Sequence, residues 1–210
     1  MAVDLLLCVA TELEGTLLRE QLEGSNPSVA IVRTGVGAVN AAHAVTLFLA
    51  QTGAQSIVVC GVGGAYPSSG LRIGDVVCAE TECYGDLGAT SPSGFLDMKA
   101  LGFPIVEAPN PLFSEFPMHV FPLDRRVRFV TVASCTGTAS AARAIEERTG
   151  GAVESMEGAA VAHVAYLHGI PVGEVRGISN IATDRDTSSW RVKEAAVAAQ
   201  EAVLTWISRR

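Results

Sequence analysis

Apolar runs bounded by glycine or short polar turns alternate with stretches whose apolar positions recur every three or four residues, a pattern that predicts strands alternating with helices. Residues 3–10 read as a buried strand. Thr11 and Glu14 follow as N-cap and N3 of a helix reaching about residue 23, in which a glutamate is fully explained by bonding back to the cap. A second strand over 28–34 meets Gly35-Val36-Gly37 and a helix to about residue 51. That loop lacks the full dinucleotide-binding fingerprint, so it reads as close helix–sheet packing and one wall of a pocket. A third strand, 56–60, runs into Gly61-Val62-Gly63-Gly64-Ala65, read as a tight turn whose bare amides can cradle an oxygen. Gly74-Asp75 turns the chain into another strand within 71–79.

Periodicity fails over 84–123, where prolines, glycines and most of the phenylalanines collect. Disordered segments are poor in aromatics, so this stretch is expected to be a packed lid or a subunit interface. The pattern then resumes with a strand over 127–133, a polar turn over 134–138, a helix over 139–148 and a strand over 152–155. A small-residue helix from Glu157, a last strand over 171–179 and an Ala-rich helix over 193–209 complete it.

At 210 residues the chain is long enough for one domain with a substantial core, and residues 1–210 read as one domain. Hydrophobic residues make up 49% against 18% charged, a balance that points to surface buried in a homo-oligomer. A net charge of -7 argues against nucleic acid as a partner, since phosphate backbones need a clustered positive surface. The opening apolar run is too short for a membrane span. Five cysteines without a C-x-x-C pair fit reduced thiols in the cytoplasm, with Cys8, Cys60 and Cys78 as core filling. The four histidines share no metal-ligand spacing, and neither a metal nor another cofactor is expected.

The chemistry concentrates where the strand over 152–155 turns into Met156-Glu157-Gly158-Ala159-Ala160. Open α/β sheets bind ligands beyond their strand ends, and the small residues let this helix lie close to the sheet. Glu157 also has a plain reading, as a first-turn acid favoured by about 0.3–1 kcal/mol by the helix dipole. Yet Ser155-Met156-Glu157-Gly158-Ala159-Ala160, followed about twenty residues later by Arg176-Gly177-Ile178-Ser179-Asn180, resembles the paired motifs of the purine nucleoside phosphorylase and nucleosidase superfamily. With Tyr84-Gly85-Asp86-Leu87-Gly88 the likeness narrows to its futalosine hydrolase family, of the alternative menaquinone pathway.

The resemblance implies a three-layer α/β/α sandwich around a central, mostly parallel, mixed twisted sheet. It also implies roles. Glu157 would bind ribose hydroxyls, Glu14 would activate water, with Glu12 as the fallback, and Asn180 would handle the purine. Gly63, Gly64, Thr136, Ser155, Met156, Ser179 and Tyr84 would line the substrate. The partner implied is a small-molecule nucleoside.

Breaking an N-glycosidic bond leaves positive charge on the sugar and negative charge on the base. Adenine-cleaving relatives carry aspartate where this chain has Asn180, whose NH2 can donate to N7 or to a 6-oxo oxygen, so a hypoxanthine nucleoside is expected. An amide is no general acid, which leaves protonation of the base to water, Asp184 or Asp186. A phosphorylase needs arginines converging on phosphate, and the first three strand–helix junctions carry none. The alternatives are a methylthioadenosine/S-adenosylhomocysteine nucleosidase, a nucleoside phosphorylase, or a non-catalytic module holding nucleotide phosphate on Gly35 to Gly37.

Overall fold

A computed structural model describes residues 2–107 and 109–209; residues 1, 108 and 210, which fall within the expected domain and irregular segment, lie outside the described ones. In chain order the elements are β1 (Leu5–Val9), α1 (Thr16–Leu22), β2 (Val29–Arg33), α2 (Ala38–Gln51), β3 (Ile57–Ala65) and β4 (Val76–Tyr84). A hairpin, β5 (Gly88–Ser91) and β6 (Gly94–Asp97), leads to α3 (Met98–Leu101), β7 (Glu115–Pro117) and β8 (Arg126–Thr131). Then come α4 (Ala139–Thr149), β9 (Val153–Ser155), α5 (Gly158–Leu167), β10 (Val172–Ile181) and α6 (Val192–Ile207).

The alternation of side chains along β1 sets the layers. Leu5, Leu7 and Val9 enter one core with Leu18 and Leu22 of α1 and Ala199 and Val203 of α6. Leu6 and Cys8 enter another with Ala41, Val45 and Leu49 of α2 and Ala159 to Ala162 of α5. Helices therefore cover both faces, which is why this strand is apolar throughout instead of alternating with polar residues. Cys8, Cys60 and Cys78 are buried free thiols within these cores, as expected.

The main sheet runs β10-β4-β8-β9-β3-β1-β2, with β7 added to β4. β10 also pairs with β3 along its whole length, so β3, β10, β4, β8 and β9 close a ring from which β1 and β2 extend. The other edge of β3 is shared: Ile57 to Val59 pair with β1, and Gly64 and Ala65 pair with β9. The α/β class and a mixed sheet agree with expectation, whereas this closure departs from an open sheet between two helix layers.

Three local expectations change. Gly61 to Ala65 continue β3 as strand, and none of these glycines has positive φ, so the tight turn read there is absent. The first helix begins at Thr16 with Gly15 as its N-cap, while Thr11 and Glu14 form their reciprocal bonds in a separate turn before it. The stretch 84–123 carries the hairpin, α3 and β7, and Phe116 is wholly buried. No helix among the described residues is long and apolar enough to cross a membrane.

Candidate functional site

The ends of β3, β9 and β10, with the turns after β1 and β2, enclose a cavity of about 290 Å³. It is lined by Glu14, Gly63, Gly64, Thr136, Ser155, Met156, Glu157, Ser179 and Asn180, every sequence-predicted site residue except Tyr84. Val36 forms part of the wall, as the reading of its loop anticipated.

One end of the cavity is organised by Arg176, which β10 carries inward fully buried. Its Nε donates to Glu174 Oε1 at 2.7 Å, its Nη1 to the Val62 carbonyl at 3.1 Å and its Nη2 to Glu157 Oε2 at 3.3 Å. Glu14 Oε1 lies 3.8 Å from Nη1. Burial alone would lower the Arg176 pKa, but the carboxylates of Glu174, Glu157 and Glu14 outweigh it and raise the pKa above the usual arginine value. The guanidinium is therefore a fixed cation that ties two cavity carboxylates into one space.

Glu14 serves both readings at once. Its Oε2 accepts from the Thr11 backbone N–H at 2.9 Å and hydroxyl at 2.8 Å, the capping role, while Oε1 accepts from the Val62 N–H at 2.9 Å on the cavity side. Because β3 brings Gly61 against this carboxylate and Arg176, a side chain at Gly61 would collide with both. Glu12 is instead on the surface, paired with Arg19 and Arg33. Glu157 occupies the N-cap position of α5 but makes no capping bond; its Oε1 accepts from the Gly37 N–H at 2.9 Å. Gly37 has φ 93°, a conformation that favours glycine and turns its N–H toward Glu157.

A further buried acid, Glu82 of β4, lies beside Glu174. Thr131 donates to its Oε1 at 2.9 Å, and its Oε2 and that of Glu174 both crowd the space a side chain at Gly158 would fill. Burial, then the charge of Glu174, pushes the Glu82 carboxyl well above the usual carboxylate range.

At the other end of the cavity Ser179 Oγ lies 2.8 Å from Asn180 Oδ1 and 3.2 Å from the Gly63 carbonyl; donated over the shorter distance, its one proton holds Oδ1 and leaves the Asn180 NH2 for the cavity. Glu154 lines the same end, accepting from the Thr136 N–H at 3.2 Å and hydroxyl at 2.9 Å. Burial raises the Glu154 pKa against the pull of those donors and of the Tyr66 hydroxyl. Asp184 and Asp186 are exposed and cap α4 and the 3-10 turn Thr187–Ser189, away from the cavity.

Tyr84 borders a different cavity, of about 570 Å³, with Lys99, Arg128 and Arg148. Its ring meets Phe116 and His163 edge-on, because β7 packs across β4 there. The sequence reading missed Arg176, Glu174, Glu154 and Glu82 as site components. A signal existed for the first two: charges two apart inside a strand read as buried share a face and must pair.

The phosphorylase superfamily model matches residues 9–208. The chain is 37% identical over 150 residues to the futalosine hydrolase of Streptomyces coelicolor, spanning 70% of this chain and 63% of that protein. To the futalosine hydrolase of Thermus thermophilus it is 33% identical over 181 residues, 82% of this chain and 78% of that one. Its fold is similar to the 5'-methylthioadenosine/S-adenosylhomocysteine nucleosidase of Neisseria meningitidis, solved with methylthio-immucillin-A: the TM-score is 0.83 at 20% identity, over 99% of both chains.

Proposed function

Because this chain belongs to the phosphorylase superfamily, has futalosine hydrolases among its relatives and is a nucleosidase, we propose that it uses water to cleave futalosine into hypoxanthine and dehypoxanthine futalosine in menaquinone biosynthesis. The observation that carries this reading is the pairing, in one cavity, of Glu14 and Glu157 around Arg176 at one end with the Asn180 amide at the other. Glu157 binds the ribose hydroxyls and faces the cation-like sugar, while Glu14 takes a proton from the attacking water. The Asn180 NH2 donates to the 6-oxopurine as negative charge gathers on it.

Water is favoured over phosphate by the electrostatics of the site. Arg176 is the one arginine among the described residues lining the cavity, and carboxylates occupy it from three sides. An incoming phosphate would find no free guanidinium and the carboxylates of Glu14, Glu154 and Glu157 repelling it. The nucleotide-binding alternative loses support for a similar reason, since the Gly37 N–H it would need already serves Glu157. A 6-amino purine offers a donor where Asn180 also presents a donor, which disfavours the methylthioadenosine alternative.

The same reading makes the protein a cytoplasmic homo-oligomer, in keeping with its buried free thiols and with Val36, Val39 and Leu47 exposed along α2 and the turn before it. The test is to incubate the protein with futalosine, inosine and methylthioadenosine and identify the released base. Hypoxanthine from futalosine is the expected product; adenine from methylthioadenosine at the higher rate would overturn the reading.

A further inference from the structure

Gly64 lies between two polar neighbours: β9 pairs it with Glu154, and β10 pairs it with Asn180. Partners directly opposite in a ladder point to the same face of a sheet, and neighbouring strands are about 4.8 Å apart. Glu154 and Asn180 thus rise on either side of a position that has no side chain. A Cβ on Gly64 would stand 3.1 Å from Asn180 Nδ2 and 3.4 Å from Glu154 Cγ, so the two side chains lean over the bare backbone. All three residues line the cavity.

Resting on the reading of the site as one for a 6-oxopurine nucleoside, we infer that Glu154 is the second base-reading residue, accepting a hydrogen bond from N1–H while Asn180 donates to O6. The lactam edge of a 6-oxopurine presents a donor, N1–H, beside an acceptor, O6; adenine presents the reverse, an acceptor at N1 beside an amino donor. Asn180 is oriented as a donor by Ser179, and an acceptor beside it completes the lactam pattern. Glu154 has the capacity. A carboxylate offers about four acceptor positions; Thr136 supplies one N–H and one hydroxyl proton and the Tyr66 hydroxyl a third, leaving a position for a ligand. The carboxylates of Glu14 and Glu157 are engaged at the Arg176 end. Burial adds discrimination, because Glu154 is 5% exposed and an unmatched ligand edge would leave it without water.

The test is Glu154→Gln, assayed through competitive inhibition of futalosine cleavage by hypoxanthine and by adenine. The Thr136 donors hold the amide oxygen, so its NH2 turns toward the base and opposes N1–H. The expected result is a shift of at least about tenfold in the ratio of the two inhibition constants toward adenine. Glu154→Asp, which withdraws the acceptor without removing the charge, should move the ratio the same way by less and serves if the glutamine variant does not fold. An unchanged ratio, with both constants weakened alike, would mean that Glu154 only holds the Thr136 turn and overturns the inference alone. A wild-type protein that binds adenine more tightly than hypoxanthine overturns the functional reading and this inference with it.

Discussion

Replacing Glu82 with glutamine should make the protein's stability less sensitive to alkali. In the native protein Glu82 is wholly buried, with Thr131 on one oxygen and the other crowded against Glu174, and its pKa lies well above the usual carboxylate value. In the unfolded chain the same carboxyl ionises near pH 4.5. Between those two values the folded protein keeps a proton that the unfolded chain releases, so stability falls as pH rises and levels off only above the folded pKa. The slope is about 1.4 kcal/mol per pH unit for one such group. For a chain of 210 residues, with Tm moving about 2–4 °C per kcal/mol, that is about 3–6 °C per unit. Glutamine keeps the shape, accepts from Thr131 and donates to Glu174, but does not titrate. The assay is differential scanning calorimetry of both proteins from pH 5 to pH 8, in which the variant's Tm minus the wild type's should grow by that amount per unit until the raised pKa is passed. A difference that stays flat over the whole range would refute the raised Glu82 pKa.

Glu157→Gln should lower turnover a hundredfold or more, about 3 kcal/mol, since only the charge facing the cation-like sugar is removed; near-normal turnover would leave Glu157 a mere anchor for Gly37. Glu14→Gln should abolish most hydrolysis while nucleoside binding, followed by calorimetry, persists, and Glu12→Gln on the surface should change neither; the opposite ranking would move the water-activating role. Asn180→Asp should shift the hypoxanthine-to-adenine ratio of kcat/KM by at least about tenfold toward adenine, because it sets a second acceptor beside Glu154; equal losses on both nucleosides would make Asn180 a loop anchor.

The α/β class of this fold was legible in the chain because strands buried on both faces are apolar throughout, and the runs at 3–10 and 171–179 could hardly be anything else. Glu14, Glu157 and Asn180 were legible through their motifs, and they do line one cavity. Other features were not. The glycines of β3 look like a turn because a missing side chain signals equally a bend and a close neighbour; here the neighbours are Glu14 and Arg176 at Gly61, Val153 at Gly63 and Asn180 at Gly64, all far away in sequence. The pairing of β10 with β3 that closes the ring is likewise nonlocal and leaves no local trace. Glu174 and Arg176 hid inside an apolar average, although two charges on one strand face have to find partners. Tyr84 stands apart from that cavity, its ring packed with Phe116, in a stretch with no period to fix a register.

The central claim, that water and not phosphate takes the sugar, is tested most directly by the mass of the sugar product formed from futalosine with and without inorganic phosphate. A site whose arginine is already bound by Glu14, Glu157 and Glu174 should release hypoxanthine at the same rate in phosphate-free buffer and leave a free anomeric hydroxyl in both cases. Release that requires phosphate, with a sugar phosphate as product, would contradict it.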